Sequence, residues 1–176
     1  MAKSKKADPY LMSAMANIYV HGARVQLRRY NEAQSINNQF GTATYECIFE
    51  VSSLFEHMAT LATYLNICDL KLPINEKIID IRNHIRHDTR ENIDQENTRK
   101  ERRASRLGLD GGDMQVMIVV SGDGVEVGNV AMTSAEIKLF IDMADGAFKA
   151  LSVGAKVAVD GSSIIVNPPV DSGSSE

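Results

Sequence analysis

The sequence predicts a mainly α protein: a helical bundle followed by a small C-terminal α+β unit of hairpin, helix and hairpin. Three observations carry this. Apolar residues recur at helical spacing through most of residues 8–107; the period turns to alternation after a glycine-rich stretch, GLDGGD, at 108–113; and the alternating segments are broken by SGDG and Asp-Gly turn sequences. The expected boundaries are 8–107 for the bundle, 113–168 for the appendage and 169–176 for a disordered tail, PPVDSGSSE being polar and proline-led.

Asp8-Pro9 reads as a helix start, with aspartate as N-cap and proline at the first helical position. The helix is expected to run to about Tyr30, burying Met12, Met15, Tyr19 and Ala23 or Val25. The polar stretch NEAQSINNQ at 31–39 then reads as a turn. A second helix carries Thr44, Cys47, Ile48, Val51, Leu54, Phe55, Met58, Leu61, Ala62 and Leu65, a 3-and-4 spacing sustained over about six turns. Pro73 opens a third, whose Ile74, Ile78, Ile81 and Ile85 form a narrow seam suited to packing between two other helices. Residues 89–106 have Ile93 as their one large apolar residue; they extend the helix, meet a partner chain or remain mobile, and the sequence leaves all three open.

In the C-terminal unit, MQVMIVV, the turn SGDG and VEVGNVAM read as a hairpin. Thr133-Ser-Ala-Glu136 is a capping box opening a helix with Ile137, Phe140, Ile141, Ala144, Phe148 and Leu151 on one face. KVAV-DG-SSIIV at 156–166 reads as a second hairpin.

Composition bounds the function. Hydrophobic residues make up 44% and charged ones 24%, ordinary globular usage for a chain of 176 residues that needs no disulfide or metal for its core. Two cysteines, Cys47 and Cys68, are too few for a disulfide framework and read as reduced thiols. No apolar run is long enough for a bilayer, and MAKSKKADPY has no apolar segment behind its lysines, so a soluble cytoplasmic protein with no membrane partner is expected. The net charge of −4 argues against non-specific nucleic-acid binding, yet it is unevenly spread. Residues 77–106 hold nine basic and six acidic side chains, whereas residues 107–176 hold three and ten.

The basic region centres on IRNHIRHD at 81–88, which contains two of the four histidines of the chain. Arginine offers a permanently charged planar fork for phosphate oxygens, histidine exchanges protons near neutral pH, and asparagine can orient either. Arg82, Asn83 and His87, without a carboxylate cluster or a thiol beside them, suit phosphodiester cleavage in which a ribose 2′-hydroxyl attacks its own phosphate. The plainer reading of the stretch is a charged helix face that only solvates. No cofactor is implied. A metal site is not indicated either: His84, His87 and Asp88 lie at helical spacings, but no Glu-x-x-His or His-Glu-x-x-His pattern occurs. His21 and His57 read as hydrogen-bonded structural residues. Arg99, Lys100, Arg102 and Arg103 could hold RNA phosphates, although no aromatic residue is interleaved for base stacking.

Arg82-Asn83-His84-Ile85-Arg86-His87 resembles the motif of the HEPN domain family, an arginine followed by a polar residue and, a few residues on, a histidine. The resemblance covers about residues 8–107 and implies an all-helical, dimeric, metal-independent ribonuclease of toxin–antitoxin, abortive-infection or RNA-surveillance type. It implies Arg82 and His87 as the catalytic pair and Asn83 as the polar positioner, with His84 and Arg86 as accessories. RNA would be the substrate, a second copy of the chain the main partner, and an antitoxin or regulator a further protein partner. Five residues along an ideal helix set Arg82 and His87 about 140° apart. Three arrangements would reconcile them: an irregularity near His87, the reach of Arg82, or a two-fold interface where both protomers contribute. The reading from a different class is a non-catalytic interaction protein acting through dimerisation and its acidic C-terminal unit.

Overall fold

The computed structural model describes residues 9–40, 44–87, 118–121, 124–127 and 130–167; within these, side chains are described except at 9, 10, 35–40, 44–48, 84, 86, 87 and 118–121. The molecule is mainly helical, with two small antiparallel sheets. The helices are α1 (Pro9–Phe40), α2 (Thr44–Ile67), α3 (Pro73–His87) and α4 (Ser134–Ser152). Strands β1 (Ile118–Ser121), β2 (Gly124–Val127) and β3 (Val130–Thr133) precede α4, and β4 (Lys156–Asp160) and β5 (Ser163–Asn167) follow it. Among the described residues, no helix is long and apolar enough to cross a membrane.

α1 corrects two expectations. It does not stop at Tyr30 but continues through residues 31–39 to Phe40, so the polar stretch read as a turn is helix. The reason is tertiary. Tyr30 and Gln34 are buried; the Tyr30 hydroxyl donates to the Gly124 carbonyl at 2.9 Å, and Gln34 Nε2 donates to the Tyr30 hydroxyl at 2.5 Å. The buried face is also rotated from the expected one. Ala16, Val20, Ala23 and Tyr30 are buried, whereas Met15 is 38% exposed.

α2 and α3 follow the expected pattern where their side chains are described. Val51, Leu54, Phe55, Met58, Leu61, Ala62 and Leu65 are buried on α2, and Ile78, Ile81 and Ile85 on α3, with Ile74 partly covered. α2 ends in a Schellman motif built on Asp69 at φ 61°, Leu70 N–H donating to Leu65 O and Asp69 N–H to Asn66 O. Asn75, fully buried near the start of α3, donates to Leu70 O and to Asn66 Oδ1, which fixes the α2–α3 corner.

The first hairpin expected after the linker is a three-stranded meander, order β1-β2-β3. The segment read as one strand, VEVGNVAM, is two antiparallel strands with Val127 opposite Val130. Gly124 explains itself by close approach: its φ is +152°, and a Cβ there would lie 2.1 Å from Met132 O. α4 opens with the expected capping box, Thr133 Oγ1 accepting from Glu136 N–H and the Glu136 carboxylate accepting from Thr133 N–H. It closes on Gly154 at φ +75°. β4 and β5 form the expected hairpin, with a positive φ at Gly161, the first central residue, as in a type II′ turn.

The C-terminal unit packs on its own bundle: one buried cluster runs from Ala16, Leu54 and Ile81 to Met132, Phe140 and Phe148. Ser13 Oγ, on α1, donates to Phe148 O on α4 at 3.0 Å, and Lys77 Nζ, on α3, donates to Ala131 O on β3.

Candidate functional site

α3 carries the motif and is set by its own seam. Pro73 pre-forms the first turn, Glu76 sits where the helix dipole favours negative charge, and three buried isoleucines fix which side faces the bundle. Arg82 lies four residues after Ile78 and three before Ile85, on the flank of that seam. Its side chain is therefore largely covered, only 22% exposed, and is not a fully solvated arginine.

Its partner among the described residues is Glu56 of α2, whose Oε2 is 3.8 Å from Arg82 Nε. That distance is an ion pair and not a hydrogen bond, and Nε is shielded from solvent with no hydrogen-bond acceptor. Asn83 is half-buried on the same helix.

His84, Arg86 and His87 belong to α3, but their side chains lie outside the described part. Arg99, Lys100, Arg102 and Arg103 lie outside the described residues altogether. α3 is α-helical from Pro73 to His87, which removes one of the three ways to reconcile Arg82 with His87, an irregularity near His87. Along this helix the two Cα positions point about 140° apart. The reach of Arg82 and a two-fold interface remain.

Glu56 is the residue that sequence reasoning missed. A signal was present: it lies eleven residues before the end of α2 and Arg82 nine after the start of α3, nearly equal distances from one short connection. Antiparallel neighbours joined this way meet at matching distances from the turn.

His57 is structural, as expected. His57 Nδ1 lies 2.7 Å from Ser53 O, to which it donates, and its ring meets Tyr19 edge-on at 5.9 Å. His21 is exposed. Among the described residues, no three His, Cys, Asp or Glu side chains converge as metal ligands would; His84 with Asp88 falls outside that set.

A second charged cluster joins α1 to α4. Arg24 Nη2 donates to Asp142 Oδ1 and to Asp145 Oδ2, both at 2.9 Å, and Lys149 Nζ donates to Asp145 Oδ2 at 2.8 Å. Burial, the largest influence on Asp145, pushes its carboxyl up, but the hydrogen bonds and charges of Lys149 and Arg24 together hold it below its ordinary value. The same pairing, chiefly the hydrogen bond to Asp142, raises Arg24. An open groove of about 490 Å³ runs beside this cluster, walled by Leu27 and Ile141. Among the described residues, neither Arg82 nor Asn83 lines it. Comparison of the chain with protein-family models, with curated proteins and with solved structures returned no match.

Proposed function

We propose that this chain is a metal-independent endoribonuclease of HEPN type, acting as a cytoplasmic homodimer in a toxin–antitoxin or phage-defence setting. The observation that carries the reading is the setting of Arg82. A helix face that only solvates would leave its arginine in water; this one is mostly covered, flanks a buried isoleucine seam and faces a carboxylate. The helical bundle and the Arg-Asn-x3-His spacing support the same reading.

In this mechanism the 2′-oxygen attacks the adjacent phosphorus and gives up its proton, and the P–O5′ bond breaks with a proton delivered to the 5′-oxygen. The products are a 2′,3′-cyclic phosphate and a 5′-hydroxyl. His87 is the general acid/base, Arg82 stabilises the charge on the pentacoordinate phosphorus and Asn83 orients them. In this reading each site is shared, Arg82 from one protomer working with His87 from the other, which the angle of about 140° between them on an ideal helix supports.

Coexpression of Arg82→Ala with His87→Ala tests this. Each variant alone is expected to be inert. The mixture should regain about a quarter of native cleavage, since half the dimers are mixed and each of these has one intact site of two. Native-like cleavage by either variant alone would remove that residue from the mechanism.

The non-catalytic reading has its own observation. α1 exposes Leu11 (61%), Met15 (38%) and Ile18 (63%) at spacings of four and three, an apolar stripe of the kind that meets another helix. It would be favoured if native protein cleaves no RNA and Ile18→Glu abolishes self-association.

A further inference from the structure

We propose that Glu56 is the positioning residue of Arg82 and that it sets the preference of the site for internal phosphodiesters over terminal phosphates; this rests on the nuclease reading above. Glu56 stands on α2, across from the motif helix, with Oε2 3.8 Å from Arg82 Nε. That nitrogen is shielded from solvent and has no hydrogen-bond acceptor, and Glu56 is the carboxylate that faces it across the two helices. The 22% of the side chain that stays exposed lies on other atoms than Nε, and in this proposal the terminal amino groups are the donors that meet the phosphate.

A guanidinium drawn toward one carboxylate by charge is in part pre-organised. Its long side chain loses less freedom when an anion arrives, and the remaining donors keep the fork geometry that phosphate oxygens match.

The carboxylate also acts on the ligand. A negative charge beside Arg82 opposes any anion bound there, and opposes a doubly charged terminal phosphate more than a singly charged diester. Glu56 is itself 43% exposed, so this repulsion is screened and selects by modest factors. One residue would thus speed turnover of internal linkages and weaken retention of chains that end in a phosphate monoester; the cyclic phosphate and 5′-hydroxyl ends of the products carry no such doubly charged group.

The test uses the full chain with Glu56→Gln, which keeps shape and removes charge, and Glu56→Asp as a second variant that keeps charge should glutamine fail to fold. Three readouts are taken: kcat and KM on an oligoribonucleotide, and the affinity of inorganic phosphate. For Glu56→Gln, kcat should fall about tenfold, the size expected from loosening one ordered side chain, while phosphate binds several-fold more tightly. Glu56→Asp should retain more of kcat than Glu56→Gln and keep the weak phosphate binding. Arg82→Ala should abolish both cleavage and phosphate binding. If native protein cleaves RNA and the folded Glu56 variants leave both kcat and phosphate affinity unchanged, the assignment of Glu56 is overturned while the nuclease reading stands. If native protein does not cleave RNA, the two fall together.

Discussion

Replacing Gly22 with alanine sets helix propensity against packing. Gly22 lies inside α1, and on propensity alone alanine should stabilise by about 1 kcal/mol. The structure opposes this. A Cβ at Gly22 would sit 2.2 Å from both Cδ2 and Nε2 of His57, on the neighbouring α2. The imidazole cannot simply turn away. Its Nδ1 is bonded to Ser53 O at 2.7 Å and its ring meets Tyr19 at 5.9 Å, together worth about 1–2 kcal/mol. Keeping the ring in place means moving α1 off α2, an overpacking cost of about 1–3 kcal/mol. After the propensity gain, Gly22→Ala should destabilise by up to about 2 kcal/mol. For a chain of this size that lowers Tm by up to roughly 8 °C. Urea denaturation followed by circular dichroism measures it. In a His57→Ala background the obstruction is gone and the same substitution should stabilise by about 1 kcal/mol, a reversal of sign within one double-mutant cycle. Stabilisation by Gly22→Ala in the native background, or the same effect in both, would refute the packing account.

Two further substitutions follow from the α4 contacts. Asp145→Asn should destabilise by about 1–2 kcal/mol by weakening the bonds from Arg24 and Lys149, a figure kept low because both cations are about half exposed or more. Because the folded Asp145 carboxyl is held below its ordinary value, its contribution is complete above about pH 4 and lost as pH falls through the folded value; acid titration of native protein should show this loss and Asp145→Asn should lack it. Thr133→Ala removes the cap of α4 and should cost about 1 kcal/mol in urea denaturation. The backbone hydrogen bond from Thr133 is the main cause that lowers the Glu136 carboxyl, with the hydroxyl a smaller one, so NMR titration should find Glu136 shifted up in this variant but still below its ordinary value.

What could be read from sequence was what neighbours in sequence decide. The isoleucine seam of α3, the apolar face of α2 and the capping box at Thr133 each need only a few adjacent residues, and all were legible. The continuation of α1 past Tyr30 was not, because residues 31–39 are polar and the helix is held there by a carbonyl on β2, 94 residues away. Nor was its buried face. Met15 is the larger apolar residue, but α1 packs closely and buries Ala16 and Val20 beside the expected Ala23. The break between β2 and β3 was hidden by continuous alternation on both sides of Gly128-Asn129. Within the candidate site, Arg82 and Asn83 were found by residue type and spacing. The Glu56 partner was not, because pairing across two helices depends on how they pack.

The most direct measurement is RNA cleavage in EDTA by native protein and by His87→Ala at equal concentration, with the product ends identified. The account predicts cleavage by native protein alone, leaving 2′,3′-cyclic phosphate ends, and a His87→Ala protein that folds but does not cleave. Equal cleavage by both, or none by native protein across varied RNAs, would contradict it and return the α3 motif to the status of a charged helix face.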